Sequence, residues 1–258
     1  MRLATFNILH ARTVEDGRVD LDRLRSAVRA IDADVLALQE VDLEQPRSAR
    51  ADLTAVAAEA MGAVSHRFVA ALSGTPGATW IAATGREQPG SAAYGIALLS
   101  RYPAVRWQTL RLPRARGRYP LYLPSARRVV LAREEPRAVV VAELATPAGP
   151  LTVANTHLSF LPGWSRHQLR GLRRDLQALP GPRVLLGNLN LTPGPVAALS
   201  RMRSLGRAPT FPAHAPHRQL DHILTDAAEL VSLAVYAPEQ PISDHRPLIV
   251  DVRGGVAG

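Results

Sequence analysis

The chain has 258 residues, with 31 basic and 22 acidic side chains and a formal charge of +9; every cation is arginine, with no lysine. No cysteine is present, which excludes a disulfide scaffold, a cysteine–zinc or iron–sulfur site and a cysteine nucleophile. Eighteen glycines and 21 prolines fall short of a disordered composition, and no run approaches the roughly 18 apolar residues of a membrane span. One domain over residues 1–258 is expected, because packed-sheet folds often reach about 250 residues as one unit. Met1 leads directly into a strand-like run with no apolar leader, so a cytoplasmic location is expected; the oligomeric state is left open.

In chain order, β-like runs are predicted at Arg2–Ile8, Val35–Gln39, Phe68–Leu72, Ala93–Leu99, Val105–Leu110, Arg128–Ala132, Ala138–Leu144, Leu151–Thr156, Val184–Leu186, Leu220–Leu224, Leu230–Tyr236 and Leu248–Val252. Helical spacing is predicted at Asp20–Ile31, Ala51–Met61, Trp164–Leu179 and Gly194–Ser204, the last opened by Pro193 with Thr192 as its cap. Many strands with few, irregularly placed helices point to two packed sheets with helices outside rather than a doubly wound parallel sheet. The stretches Ser73–Ser91 and Leu112–Ala126 read as long loops, which ordered domains seldom carry without use.

A positive field favours anionic partners such as nucleic acid, although a GC-rich genome yields the same arginine total, so the distribution carries more weight. Arg111, Arg114, Arg116, Arg118, Arg127, Arg128 and Arg133 are interleaved with Tyr119, Tyr122, Pro113, Pro120 and Pro124. Such a stretch suits phosphate contacts with aromatic stacking, or a solvated loop. On the helix from Trp164, Arg166, Arg170, Arg173 and Arg174 share one face, opposite Leu169, Leu172 and Leu176, as on an ordinary surface helix.

Polar residues recur where apolar strands end: Asn7, Gln39-Glu40, Asn155-Thr156-His157, Asn188-Leu189-Asn190, Asp221-His222 and Ser243-Asp244-His245. Each alone is an ordinary strand terminus. Six of carboxylate, amide or imidazole type can converge, because packed sheets bring strand ends to a common rim. Oxygen donors with few nitrogens and no sulfur select a hard cation, Mg²⁺ or Mn²⁺, with Glu40 the leading ligand and Asn7 and Asp244 its companions. Such a cation polarises a phosphoryl oxygen. Asp221 is placed to hold His245 in one tautomer.

The ordered set Thr5-Phe6-Asn7, Leu38-Gln39-Glu40, Tyr94-Gly95 with Leu99-Ser100-Arg101, Arg137, Asn155-Thr156-His157-Leu158, Gly187-Asn188-Leu189-Asn190, Leu220-Asp221-His222-Ile223 and Ser243-Asp244-His245-Arg246-Pro247 resembles the endonuclease/exonuclease/phosphatase superfamily over residues 3 to about 252. The resemblance implies an α+β fold, a four-layer α/β/β/α sandwich of two packed mixed sheets, and Mg²⁺-dependent phosphoester hydrolysis. It implies metal binding by Asn7, Glu40 and Asp244. It implies substrate contacts from Tyr94, Arg137 and Asn155, and catalytic roles for His157, Asn188, Asn190, Asp221 and His245. A phosphodiester of nucleic acid is the first substrate expected, a lipid or small-molecule phosphoester the second. The Asn155-Thr156-His157 form is similar to the deoxyribonuclease, sphingomyelinase and deadenylase-like branches.

One departure stands out. The family's Gly-Asp-x-Asn motif here reads Gly187-Asn188-Leu189-Asn190, and the missing aspartate is the one associated with activating water. An amide accepts no proton at neutral pH and brings no charge. Three readings stay open: a substitution introduced to trap substrate, a natural enzyme relying on His245, or a protein that binds phosphates without hydrolysis.

Overall fold

Alternation in the strands explains the layers. In strand β1 (Arg2–Asn7), Leu3 faces one apolar layer while Ala4 and Phe6 face another. With both faces buried, the run reads as almost continuously hydrophobic. The computed structural model describes residues 1–88, 90–123, 128–161 and 163–254. Arg127 and Pro124 of the arginine-rich stretch, and the side chains of Tyr122 and Arg128, lie outside what is described.

The chain proceeds through helix α1 (Leu21–Ile31), β2 (Val35–Leu43), α2 (Leu53–Met61), β3 (Ser65–Gly74), β4 (Trp80–Ala82), β5 (Ala93–Ser100) and β6 (Ala104–Leu112). It continues through β7 (Arg118–Leu123), β8 (Arg128–Arg133), β9 (Arg137–Thr146), β10 (Gly149–His157), α3 (Trp164–Gln177) and β11 (Arg183–Asn188). It ends with α4 (Pro193–Ser200), β12 (Arg203–Ser204), β13 (Asp221–Thr225), β14 (Val231–Tyr236) and β15 (Leu248–Arg253). Seven strands form one mixed sheet in the order β14-β15-β1-β2-β5-β3-β4, and six form a second in the order β12-β13-β11-β10-β9-β6. β7 and β8 pair only with each other.

Three apolar layers hold the four-layer sandwich together. Leu3, Val35, Ile96, Leu98, Val140, Val153, Leu186 and Ile223 fill the space between the sheets. Phe6, Leu36 and Leu38 pack outward on Leu24, Val28 and Leu53 of α1 and α2. Val139, Val141 and Leu185 pack outward on Leu169, Leu172 and Val196 of α3 and α4. α1 opens where Asp20 accepts from the amides of Asp22 (2.9 Å) and Arg23 (3.0 Å), an N-cap that satisfies otherwise unpaired donors.

Three expectations change. The stretch from Ser73 to Ser91 carries the short strand β4, and that from Leu112 to Ala126 carries β7; narrow ribbons bury little, so their sequences lack strong alternation. The last helix stops at Ser200, where Arg201 turns left-handed and Arg203–Ser204 becomes an edge strand. Thr192 holds the cap position without a side-chain capping bond.

Candidate active site

The period of two carries the inter-sheet face to one end of the sandwich. Leu3 and Thr5 lead to Asn7; Leu151 and Val153 to Asn155 and His157; Val184 and Leu186 to Asn188. Tyr94 and Asp221 begin the same face on strands running the opposite way. At that end lies a cleft of about 910 Å³, lined among others by Asn7, Glu40, Tyr94, Arg137, His157, Asn188, Asn190 and His245. No helix among the described residues is long and apolar enough to cross a membrane.

Glu40 reaches the cleft through a bulge. Val35, Ala37 and Gln39 face the inter-sheet layer and Leu36 and Leu38 the helices, so an unbroken strand would aim residue 40 at α1 and α2. Instead the register with β5 shifts between Gln39 and Val41, and Glu40 takes a left-handed φ of 56°. A bulge of this kind re-aims one side chain, and left-handed backbone in a non-glycine residue is costly unless the surroundings enforce it. Opposite the bulge sits Gly95, where a Cβ would meet the Val69 carbonyl oxygen at 2.1 Å. Gly187, with φ 147°, lets β11 approach β10 closely just before Asn188; a Cβ there would lie 2.0 Å from the Thr156 carbonyl oxygen.

Asn7 Nδ2 donates to Glu40 Oε1 at 2.9 Å, while Asn7 Oδ1 accepts from the Leu9 amide at 3.1 Å. Burial raises the Glu40 carboxyl above its usual range; Asn7 and His245 oppose the rise, and Asp244 adds to it. Asp244 therefore stands within electrostatic reach of Glu40. Among the described residues no group of three or more histidine, cysteine or acidic side chains is placed to hold a metal without other donors. The chemistry of the site nevertheless fits a hard cation: a carboxylate penalised for its charge, a second carboxylate nearby, amides around them, and no sulfur. Mg²⁺ commonly takes only one or two protein carboxylates and keeps several waters.

Two histidines face the cleft in different states. His245 Nδ1 bonds Asp221 Oδ2 at 2.8 Å, and Asp221 is fully buried. Burial disfavours the cation, yet Asp221, Asp244 and Glu40 together push the imidazole up to about 9. It is thus charged at neutral pH, with Nε2 as its remaining donor. His157 is held well below its usual value by burial and by Arg137 and His245, and stays neutral. Asn190 Nδ2 lies 3.3 Å from His157 Nε2 and donates to the Leu158 carbonyl at 2.9 Å, which leaves Asn190 Oδ1 as an acceptor for the cleft. Asn190 too is left-handed, with φ 52°, and its amide donates to Asn188 Oδ1 at 3.0 Å.

Tyr94 keeps its proton, because burial and Glu40 raise its hydroxyl well above its ordinary value. Its ring lies 5.5 Å from the Arg47 guanidinium, which grips the fully buried Asp42 through two bonds of 2.7 and 2.8 Å. Arg137 is nearly buried: Nε bonds Glu134 Oε1 at 3.3 Å, and Nη2 stands 3.9 Å from Glu135 Oε2. Burial opposes its charge, but Glu135 and Glu134 more than restore it.

Asn155 is a correction. It is fully buried away from the cleft, where Oδ1 accepts from Gln39 Nε2 at 2.8 Å and Nδ2 donates to the carbonyls of Leu38 (2.9 Å) and Ala97 (2.8 Å). Its amide is consumed in tying the two sheets together and cannot reach a substrate. Asp221 likewise lies behind the wall and acts through His245. Trp80, Phe160 and Glu135 line the cleft unforeseen; Trp80 opens the short strand β4 and the other two sit on connections, and no spacing relates them to the strand-end motifs.

Residues 4–245 match the model of the endonuclease/exonuclease/phosphatase family. The chain belongs to that family. Solved structures with the same fold include an endonuclease/exonuclease/phosphatase from Beutenbergia cavernae (TM-score 0.71, 23% identity, covering 100% of this chain and 72% of that one). A mannosyl-6-phosphatase from Bacteroides thetaiotaomicron aligns at TM-score 0.63 and 16% identity, over 98% of this chain and 99% of that one. Sphingomyelinase C from Streptomyces griseocarneus aligns at 0.60 and 18%, over 99% of each chain. No curated protein matches the chain by sequence. Family membership supports a phosphoesterase function for this member.

Proposed function

We propose that this family member is a Mg²⁺-dependent hydrolase of phosphodiester bonds, with a nucleic-acid strand as substrate and a rate held down by Asn188. The observation that carries the reading is one cleft wall joining the bulge carboxylate Glu40 to Arg137, to the charged His245 and to the neutral pair His157–Asn190. Mg²⁺ bound by Glu40, with Asn7 and Asp244 beside it, would supply Lewis-acid polarisation of the phosphoryl group. The remaining roles belong to the chain. Arg137 and the His245 imidazolium offer N–H donors to non-bridging phosphate oxygens, and donors preorganised in a partly buried site favour charge that develops at transfer. Asp221 orients His245. Asn190 Oδ1 accepts a hydrogen bond from the attacking water and so orients it, and the Tyr94 hydroxyl donates a hydrogen bond to phosphate.

Asn188 occupies the place from which a carboxylate would take the water's proton. Asp221 Oδ2 holds His245 Nδ1 at 2.8 Å, so the imidazole is oriented to offer Nε2 to the phosphate rather than to stand in for the missing base. Slow turnover follows from that combination. The test is initial-rate hydrolysis of bis-p-nitrophenyl phosphate, p-nitrophenyl phosphate and single-stranded DNA, with Mg²⁺ and with EDTA. Diester cleavage that needs Mg²⁺ and disappears in Glu40→Gln supports the reading. Equal rates in EDTA, or faster cleavage of the monoester, count against it.

A further inference from the structure

The ribbon formed by β7 and β8 stands apart from both sheets, and its register sets Arg118 directly opposite Arg133. Opposite residues of an antiparallel pair project from the same face, and like charges in that position repel each other. Both arginines line the cleft, joined by Leu131 from the same ribbon face. Neither forms an ion pair among the described residues, although Arg137, a few residues further on, lies beside Glu134 and Glu135. Two exposed cations held side by side, with no ion-pair partner among the described residues, give this side of the cleft a local positive charge.

A third cation is mounted beside them. The Pro113 carbonyl accepts from Trp164 Nε1 at 3.0 Å and from Gln168 Nε2 at 2.9 Å, which pins the segment before the ribbon to α3. Arg114 follows, its guanidinium 5.9 Å from the Trp80 ring centre across the cleft mouth. Phe160, 46% exposed, supplies a second aromatic face to the same cleft. At about 910 Å³ the cleft is far larger than one phosphoryl group requires.

Resting on the phosphodiesterase reading above, we infer that Arg114, Arg118 and Arg133 form a second anion subsite, which takes a further phosphate of the same strand while Trp80 and Phe160 stack on its bases. Arginine suits this task because its planar fork meets phosphate oxygens in pairs and also lies flat on aromatic rings. Alternating cationic and aromatic groups along a groove are the way single strands are held without sequence readout. A lipid surface is less favoured: although Val129 and Leu131 are exposed on this face, the facing pair Arg118 and Arg133 stands at the end of it that lines the cleft.

The experiment measures binding of 5′-fluorescein-labelled hexathymidylate by fluorescence anisotropy in EDTA, with unlabelled inorganic phosphate as a single-phosphate competitor. Because no turnover is involved, the result stands even if every ester proves inert. R118Q/R133Q is expected to weaken hexathymidylate at least 10-fold and to weaken inorganic phosphate less than threefold. It should also flatten the slope of log affinity against log salt by about 1.4, the single-strand value for two lost phosphate contacts. R133E places an acid opposite Arg118, so its thermal midpoint should equal or exceed that of the parent protein while hexathymidylate binding falls as far as in the double variant. Arg106→Gln, outside the cleft, serves as the control and stays within twofold. Hexathymidylate affinity unchanged in a folded R133E, an equal loss for inorganic phosphate, or tighter binding to phosphatidylglycerol vesicles than to hexathymidylate would each overturn the inference.

Discussion

Replacing Asn188 by aspartate tests the mechanism most directly. The side chain is almost fully buried, ends β11, and lies in the cleft wall beside His157 and Asn190. Its Oδ1 already accepts from the Asn190 amide at 3.0 Å, and a carboxylate of the same shape preserves that bond. What changes is charge. The variant gains a group that accepts a proton from water, and a missing general base commonly costs about 10²–10⁴ in rate. Asn188→Asp is therefore expected to raise kcat on bis-p-nitrophenyl phosphate with Mg²⁺ by about 10²-fold or more, with KM changed less than fivefold. The same charge adds to those of Glu40 and Asp244, so without metal the variant should lose about 1–2 kcal/mol. For a chain of this size that is a fall of roughly 2–8 °C in thermal midpoint, recovered when Mg²⁺ is added. Rates come from nitrophenolate release, stability from thermal unfolding followed by circular dichroism. A folded variant that binds Mg²⁺ yet turns over no faster than the parent would refute the argument that residue 188 limits the reaction.

Other expectations follow from the same geometry. Glu40→Gln removes a carboxylate penalised by burial, so the apo protein should be at least as stable as the parent. It should lose the stabilisation by Mg²⁺, which for a site loaded to 100 times its Kd is about 2.7 kcal/mol; a midpoint that still rises with Mg²⁺ places the ion elsewhere. Asn155→Ala leaves Gln39 Nε2 and two carbonyls short of a partner, at a cost of about 3 kcal/mol read by urea unfolding, with KM unchanged; an altered KM would restore Asn155 to the substrate site. His10 is held down to about 3 by burial and by Arg47 and Arg12. Its folded value lies below the unfolded one, near 6.5, so the unfolded state takes up the proton and stability is lost as pH falls below about 6.5. Between pH 7.5 and 5.5 this amounts to about 1.4 kcal/mol. The stability difference between the parent and His10→Gln should narrow by that amount over this interval, and no pH dependence of the difference would contradict the burial of a neutral imidazole.

Much of the architecture was legible before any coordinates. Strands such as Ala93–Leu99 and Leu248–Val252 carry apolar runs long enough to declare themselves, and the structure extends them by only one residue each. The ribbon strand at Arg118–Leu123 was hidden because Pro120 sits within it, and a proline inside a run argues against a strand unless the strand lies at an edge, as this one does. The donor residues of the cleft were legible because they interrupt apolar strands, and burying a polar group is costly without a reason. Asn155 shows the limit of that signal. An amide in mid-strand satisfying two sheets looks, in one dimension, the same as an amide reaching for substrate.

Sequence alone determined which donors exist, that they sit at strand ends, and that no thiol competes with them, because residue type and the two-residue period are local properties. Only the folded chain decided which way those donors point. The bulge at Glu40 turns its carboxylate out of the helical layer, the depth of Asp221 sets the charge of His245, and the β7–β8 register places Arg118 against Arg133. Each depends on a partner strand far away in the sequence, and pairing across such distances is a property of the whole fold.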